Sequence, residues 1–92
     1  MSKKSTLNLP ERLDISEAVS LKERMDKALD KDSTVLDVKA DKVECVDSAG
    51  VQLLLSFRAA AIEAGKAVSL SNPTDEFLAA VELLGAMELL EL

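Results

Sequence analysis

From Ser48 to about Ala64 the chain reads as one helix that is apolar around most of its circumference. Its polar stripe is narrow: Gln52, Ser56, Ala59, Glu63 and Lys66, spaced by four, three, four and three residues. Val51, Leu53, Leu54, Leu55, Phe57 and Ile62 fill most of the remaining surface. A helix of this kind must be covered on more than one side, by a sheet and by another helix. It therefore makes itself the core element and forces a layered α/β arrangement on everything else. Gly65 stands where a left-handed C′ residue would end it.

The start of this helix is the most informative corner of the sequence. An extended apolar run, Val43 to Val46, ends at Asp47-Ser48, and the helix pattern begins at once. Either residue can cap the helix, because a short side-chain oxygen accepts a hydrogen bond from the free amides of the first turn. The other is left near the corner, accessible. Ala49 and Gly50 follow, and glycine there lowers helix propensity but leaves the backbone bare. The corner is the expected site of function.

The remaining chain alternates between two periods. Leu7 and Leu9 share one face of a first strand, Ser5 to Leu9, stopped by Pro10; Arg12-Leu13 reads as a short returning strand. From Asp14 the spacing turns helical: Ala18, Leu21, Met25 and Ala28/Leu29 recur on one side for about 14–16 residues. Asp14 with Glu17 fits a capping box, with Ser16 as a rival cap. Thr34 to Val38 is nearly all apolar, as expected of a strand covered on both faces, with Asp37 interrupting it. Ala67 to Leu70 is a further strand. Ser71-Asn72-Pro73 turns into a third helix capped by Thr74, with Phe77, Leu78, Val81 and Leu84 as its apolar stripe and Gly85 at its end. Met87 to Leu92 fits either a last strand or a short docked helix. Strands alternating with helices imply crossovers, hence a largely parallel or mixed sheet, and nothing divides residues 1–92 into more than a single domain.

Absences narrow the chemistry. The chain has no histidine, which removes Ser-His-Asp and Cys-His machinery and any histidine-ligated zinc. Its three glycines, Gly50, Gly65 and Gly85, are too far apart for a phosphate-cradling loop. Two phenylalanines are its only aromatic residues, so base-stacking platforms are missing. A net charge of −6 repels phosphate backbones and anionic lipid, which argues against nucleic acid and membrane surface as partners. No apolar run approaches the roughly 18 residues of a membrane span, and Leu7 to Pro10 is too short for a signal-peptide core, so a cytoplasmic protein is expected.

Individual candidates are read against that background. Ser48 by itself is a helix cap; it lacks the Gly-x-Ser-x-Gly elbow and any base of the histidine type, so no catalytic residue is expected. As a phosphate acceptor it is plausible, since phosphate brings about −1.5 to −2 charges to a helix N-terminus beside Asp47. Asp14, Asp37 and Asp47 each fall at or near a strand end or helix start, where acids serve as caps and loop anchors more often than as Mg²⁺ ligands. That is the reading for Asp37, and no metal or cofactor is assigned. Cys45, inside an apolar run, reads as a buried inert thiol.

Taken together, Thr34 to Val38, Val46-Asp47-Ser48-Ala49-Gly50-Val51 and the apolar helix behind them resemble the STAS domain of anti-sigma factor antagonists and sulfate transporters. Leu13-Asp14, Leu70 to Pro73 and Leu84-Gly85 extend the resemblance over nearly the whole chain, although Glu11-Arg12-Leu13-Asp14 lacks the glycine often seen there. The resemblance implies an α/β fold: a small mixed, mostly parallel sheet of about four to five strands flanked by about three to four helices. It also implies a non-enzymatic interaction switch in which a partner serine kinase phosphorylates Ser48 and a phosphatase resets it. The unphosphorylated form would bind the kinase or anti-sigma factor. Asp14 and Asp47 match acids bordering that site, with Ala49 and Gly50 beside them. Gln52 and Ser56 lie on the lightly charged helix face expected to dock the partner. The chain's shortness is closer to compact STAS proteins. Some of these are subunits of ABC lipid transporters, and others sit among chemotaxis genes. The alternative is thus a constitutive subunit held on a transporter ATPase, or an adaptor, without phosphate turnover; a monomer or weak dimer is expected in either case.

Overall fold

The structure is a computed structural model that describes residues 3–88. In chain order its elements are β1 (Lys4–Asn8), β2 (Arg12–Leu13), a 3₁₀ turn (Ile15–Glu17), α1 (Ala18–Asp30), β3 (Val35–Lys39), β4 (Cys45–Val46), α2 (Ser48–Glu63), β5 (Ala67–Ser71) and α3 (Asp75–Leu83). The expected last element falls mainly on residues 89–92, outside the described residues; Met87 and Glu88 lie in a turn.

Three strands form a sheet in the order β1-β3-β5, and β2 pairs with β4 in a second ladder. Every described pairing is parallel, with Leu7 opposite Val38 and Val38 opposite Leu70. Because the strand order advances one way, right-handed crossovers carry α1 and α2 to the same face. There they cover Leu7, Leu36 and Val38, and Leu21, Met25, Leu54 and Phe57 complete that part of the core. α2 ends as its sequence suggests. Gly65 takes φ +80°, and the amides of Gly65 and Lys66 reach back to the carbonyls of Ile62 and Ala61. α3 ends in the same way at Gly85, and its cap Thr74 both accepts from the Phe77 amide and donates to the Val43 carbonyl.

Four expectations need correction. Arg12-Leu13 does not turn back. The Leu9 amide bonds to the Lys39 carbonyl and the Cys45 amide to the Glu11 carbonyl, so Pro10 kinks a strand that keeps its direction. β3 is not covered alike on its two faces. Its second face carries Val35, Asp37 and Lys39 between the exposed Lys4, Thr6 and Asn8 on one side and Ala67 and Ser69 on the other. Asp37 is neither cap nor loop anchor: it is buried in mid-strand, 3.7 Å from the Lys4 ammonium and accepting from the Ser69 hydroxyl at 3.1 Å. A buried carboxylate is tolerable only when paired in this way. Finally, Ile62 and Leu84 are half exposed rather than core.

The buried face of α3 rests on Phe77 and Val81, both fully buried. Phe77→Ala should cost about 3–5 kcal/mol, read as a lower urea midpoint, whereas Leu83→Ala, at a residue 88% exposed, should leave the midpoint unchanged.

Candidate functional site

The corner after β4 is assembled by one carboxylate. Asp47, in extended backbone at φ −123°, is the N-cap of α2, and its Oδ1 accepts from the Gly50 amide at 2.8 Å. Its Oδ2 accepts from the Ile15 amide at 3.1 Å, and its own amide donates to the Leu13 carbonyl at 3.1 Å. The cap is therefore Asp47, which corrects the reading of Ser48 by itself as the helix cap. Ser48 becomes the first helical residue, exposed, with no hydrogen bond to its hydroxyl among the described residues.

Gly50 is required by proximity rather than by conformation. A methyl group there would lie 2.0 Å from the Leu13 carbonyl oxygen and 2.6 Å from its carbon, backbone atoms that cannot give way. The first turn of α2 thus sits directly on the end of β2. Across this contact lies Asp14, whose carboxylate accepts from the Ser16 amide at 3.0 Å and from the Ser16 hydroxyl, and pairs with Arg12 at 3.1 Å. Asp14 caps the 3₁₀ turn through Ser16; the amide of Glu17 goes instead to the Asp14 carbonyl, so the expected capping box is replaced by a tighter turn. The Ser16 hydroxyl, ahead of the Arg12 guanidinium, holds the Asp14 carboxyl below its ordinary value.

Asp14, Asp47, Ser48, Ala49 and Gly50 are therefore brought together, as the sequence suggests, while Asp37 is left apart in the sheet. Among the described residues no three acids or thiols converge as a metal site. No helix among them is long and apolar enough to cross a membrane. Cys45, expected buried, is exposed. β4 is a two-residue ladder, and only Val46 turns inward from it to pack against the core.

Gln52 joins Ser48 in a groove of about 150 Å³ whose floor is Val51 and Leu55 and whose far wall is Leu84 and Ala86. Ser56, one turn further, is exposed but opens into a different groove, between α1 and α2. The sequence reading missed the apolar residues that flank the corner. Ile15 and Val19 are 71% and 77% exposed on the Asp14 side, and Leu83 and Leu84 are 88% and 44% exposed on the other. Their signal was available: Ile15 and Val19 sit four apart but off the Leu21/Met25/Ala28 stripe.

Two substitutions test this construction. Gly50→Ala should lose about 2–3 kcal/mol of stability in urea unfolding, the scale of overpacking against an unyielding neighbour. For Asp14 the folded-state carboxyl is depressed, so its contribution is present above the unfolded value of about 3.9 and fades as pH falls through the folded value. Asp14→Asn should accordingly flatten the acid limb of a stability–pH profile below about pH 4, leaving an unchanged slope at neutral pH.

Comparison with known proteins agrees with this architecture. The family described as Mlab, STAS domain matches residues 1–91. The fold is similar to a sulfate transporter family protein from Wolinella succinogenes, at TM-score 0.69 and 20% identity, covering 96% of this chain and 70% of that one. It is also similar to the anti-sigma factor antagonist SpoIIAA in its unphosphorylated form, at TM-score 0.73 and 17% identity, covering 92% of this chain and 75% of that one. No curated protein matches the sequence. With a family match over nearly its full length, behind a capped corner and a parallel sheet of the same kind, the chain belongs to the STAS domain family.

Proposed function

We propose that this STAS domain is a non-catalytic interaction module whose docking surface centres on Ser48, and that a partner serine kinase switches it by phosphorylating that hydroxyl. The observation that carries the reading is the division of labour at the corner. Asp47 performs the capping, so the Ser48 hydroxyl is exposed and structurally spare. Exposed Ile15 and Val19 on one side and Leu83 and Leu84 on the other supply the apolar area that a partner would cover. ATP and the phosphoryl-transfer machinery would belong to the kinase; an anti-sigma factor is the corresponding partner and a phosphatase the reset, with the domain working in the cytoplasm.

The switch is electrostatic. A phosphate on Ser48 adds about −1.5 to −2 charges beside the Asp47 carboxylate, at the centre of a surface that docks in its neutral state. Arg12, brought beside the corner by its pairing with Cys45, does not offset it, since it is engaged by Asp14. The fold itself is not disturbed, because the side-chain bonds that join α2 to the 3₁₀ turn run through Asp47, Gly50 and Ile15 rather than the Ser48 hydroxyl.

Ser48→Asp should weaken partner binding at least tenfold, about 1.4 kcal/mol, while moving the thermal midpoint by less than about 3 °C. Ser48→Ala should bind like wild type and gain no phosphate when incubated with ATP and the kinase, as read by intact mass. Equal binding by Ser48→Asp and wild type, or a phosphate gained by Ser48→Ala, sinks the reading. Undiminished binding with no phosphate on the wild type would instead mark a constitutive subunit, as on a transporter ATPase.

A further inference from the structure

A second surface lies along the outer edge of β1, away from Ser48. A groove of about 260 Å³ runs there between α1 and β1, lined by Arg24 and Lys27 from the helix, by Lys31 just past its end and by Thr6 and Asn8 from the strand, with no acid in its lining. On a chain of net charge −6 this is a local reversal of sign. The three cations recur at spacings of three and four, so they form one stripe facing the strand. Among the described residues, Lys27 and Lys31 have no ion-pair partner. Among the described residues, no acid of this region pairs with the stripe. Asp26 pairs with Lys22 and Asp32 with Lys3, and neither Glu23 nor Asp30 comes within ion-pair distance of the stripe.

The strand beside it is an edge. Among the described residues β1 pairs with β3 alone. The Leu9 amide and the Lys3 carbonyl are both bonded towards β3, so the odd-numbered residues face inward. The peptide groups of Lys4, Thr6 and Asn8 therefore face out. One of those outward groups is occupied, the Asn8 carbonyl, which accepts from Arg24.

We propose that this edge and groove form a second docking surface, for an extended acidic segment of a partner protein added to β1 as a strand. Such a segment would satisfy the outward peptide groups and place a carboxylate every second residue, about 6.7 Å apart. The helical stripe from Arg24 to Lys31 runs about 10 Å, which suits two or three such carboxylates. Arg24 would exchange the Asn8 carbonyl for one of them and gain a bidentate partner. A bilayer or a nucleic acid fits less well, because neither supplies the backbone amides and carbonyls that the outward peptide groups of β1 would pair with. The proposal is independent of the Ser48 reading, since the two surfaces share no residue.

The test is titration of the ¹⁵N-labelled chain with a synthetic ten-residue peptide alternating Thr and Glu, at low salt. Amide shifts should concentrate at residues 4–9 and 24–31, and Ser48→Asp should not alter them. R24E/K27E/K31E should weaken binding at least tenfold, and so should Thr6→Pro, which removes an outward amide without changing charge. Circular dichroism checks that Thr6→Pro is folded; the charge-reversed variant decides the matter alone if it is not. Equal affinity for the charge-reversed variant, shifts confined to residues 45–55, or no binding to the wild type overturns the proposal. Binding to phosphatidylglycerol vesicles but not to the peptide would overturn it in favour of a lipid surface.

Discussion

The Asp47 carboxylate is the interaction on which the strand-to-helix corner of this domain depends. One of its oxygens caps α2 through Gly50 and the other holds the 3₁₀ turn through Ile15, while the amide of the same residue closes the β2–β4 ladder on Leu13. Hydrogen bonds to a charged acceptor contribute about 1.5–3 kcal/mol each, so this single side chain ties a helix, a strand end and a turn together. The arrangement also demands that α2 come down onto the Leu13 carbonyl, which is why residue 50 has no side chain. Cap, contact and glycine are one solution, not three.

That economy leaves Ser48 with no structural duty. Were it the cap, any modification of its hydroxyl would loosen the helix it started, and signalling would come at the expense of folding. With the cap displaced by one residue, the hydroxyl is left exposed at the helix terminus, outside the bonds that join the helix to the turn. The apolar residues on either side, Ile15 and Val19, and Leu83 and Leu84, are left exposed by the packing of the core.

Much of this was readable from the chain. The long α2, its end at Gly65, the Thr74 cap and the parallel sheet all follow from periodicity and punctuation, and the observed elements fall within a few residues of those expectations. The nearness of Asp14 to Asp47 and Ser48 was also legible, because both acids occupy strand-to-helix corners, although the same reasoning grouped Asp37 with them. What escaped was set by partners distant in sequence. Asp37 reads locally as an interruption, and only Lys4 and Ser69, from two other strands, make it a buried mid-strand acid. Cys45 reads as core by its neighbours, yet a two-residue strand at a sheet margin has an outward side. The choice between Asp47 and Ser48 as cap turned on the register of a single residue, which propensity does not resolve.

The break at Pro10 divides the sheet into two tiers of unequal strength. β1, β3 and β5 are joined over five residues each, whereas β2 and β4, which carry the corner, share two. A ladder that short is near the low end of local opening energies, so the domain is a firm base bearing a lightly hinged jaw. A partner that grips the corner would then be felt as a quieting of fluctuations there, with binding recorded in the motion of the corner before it is recorded in its shape.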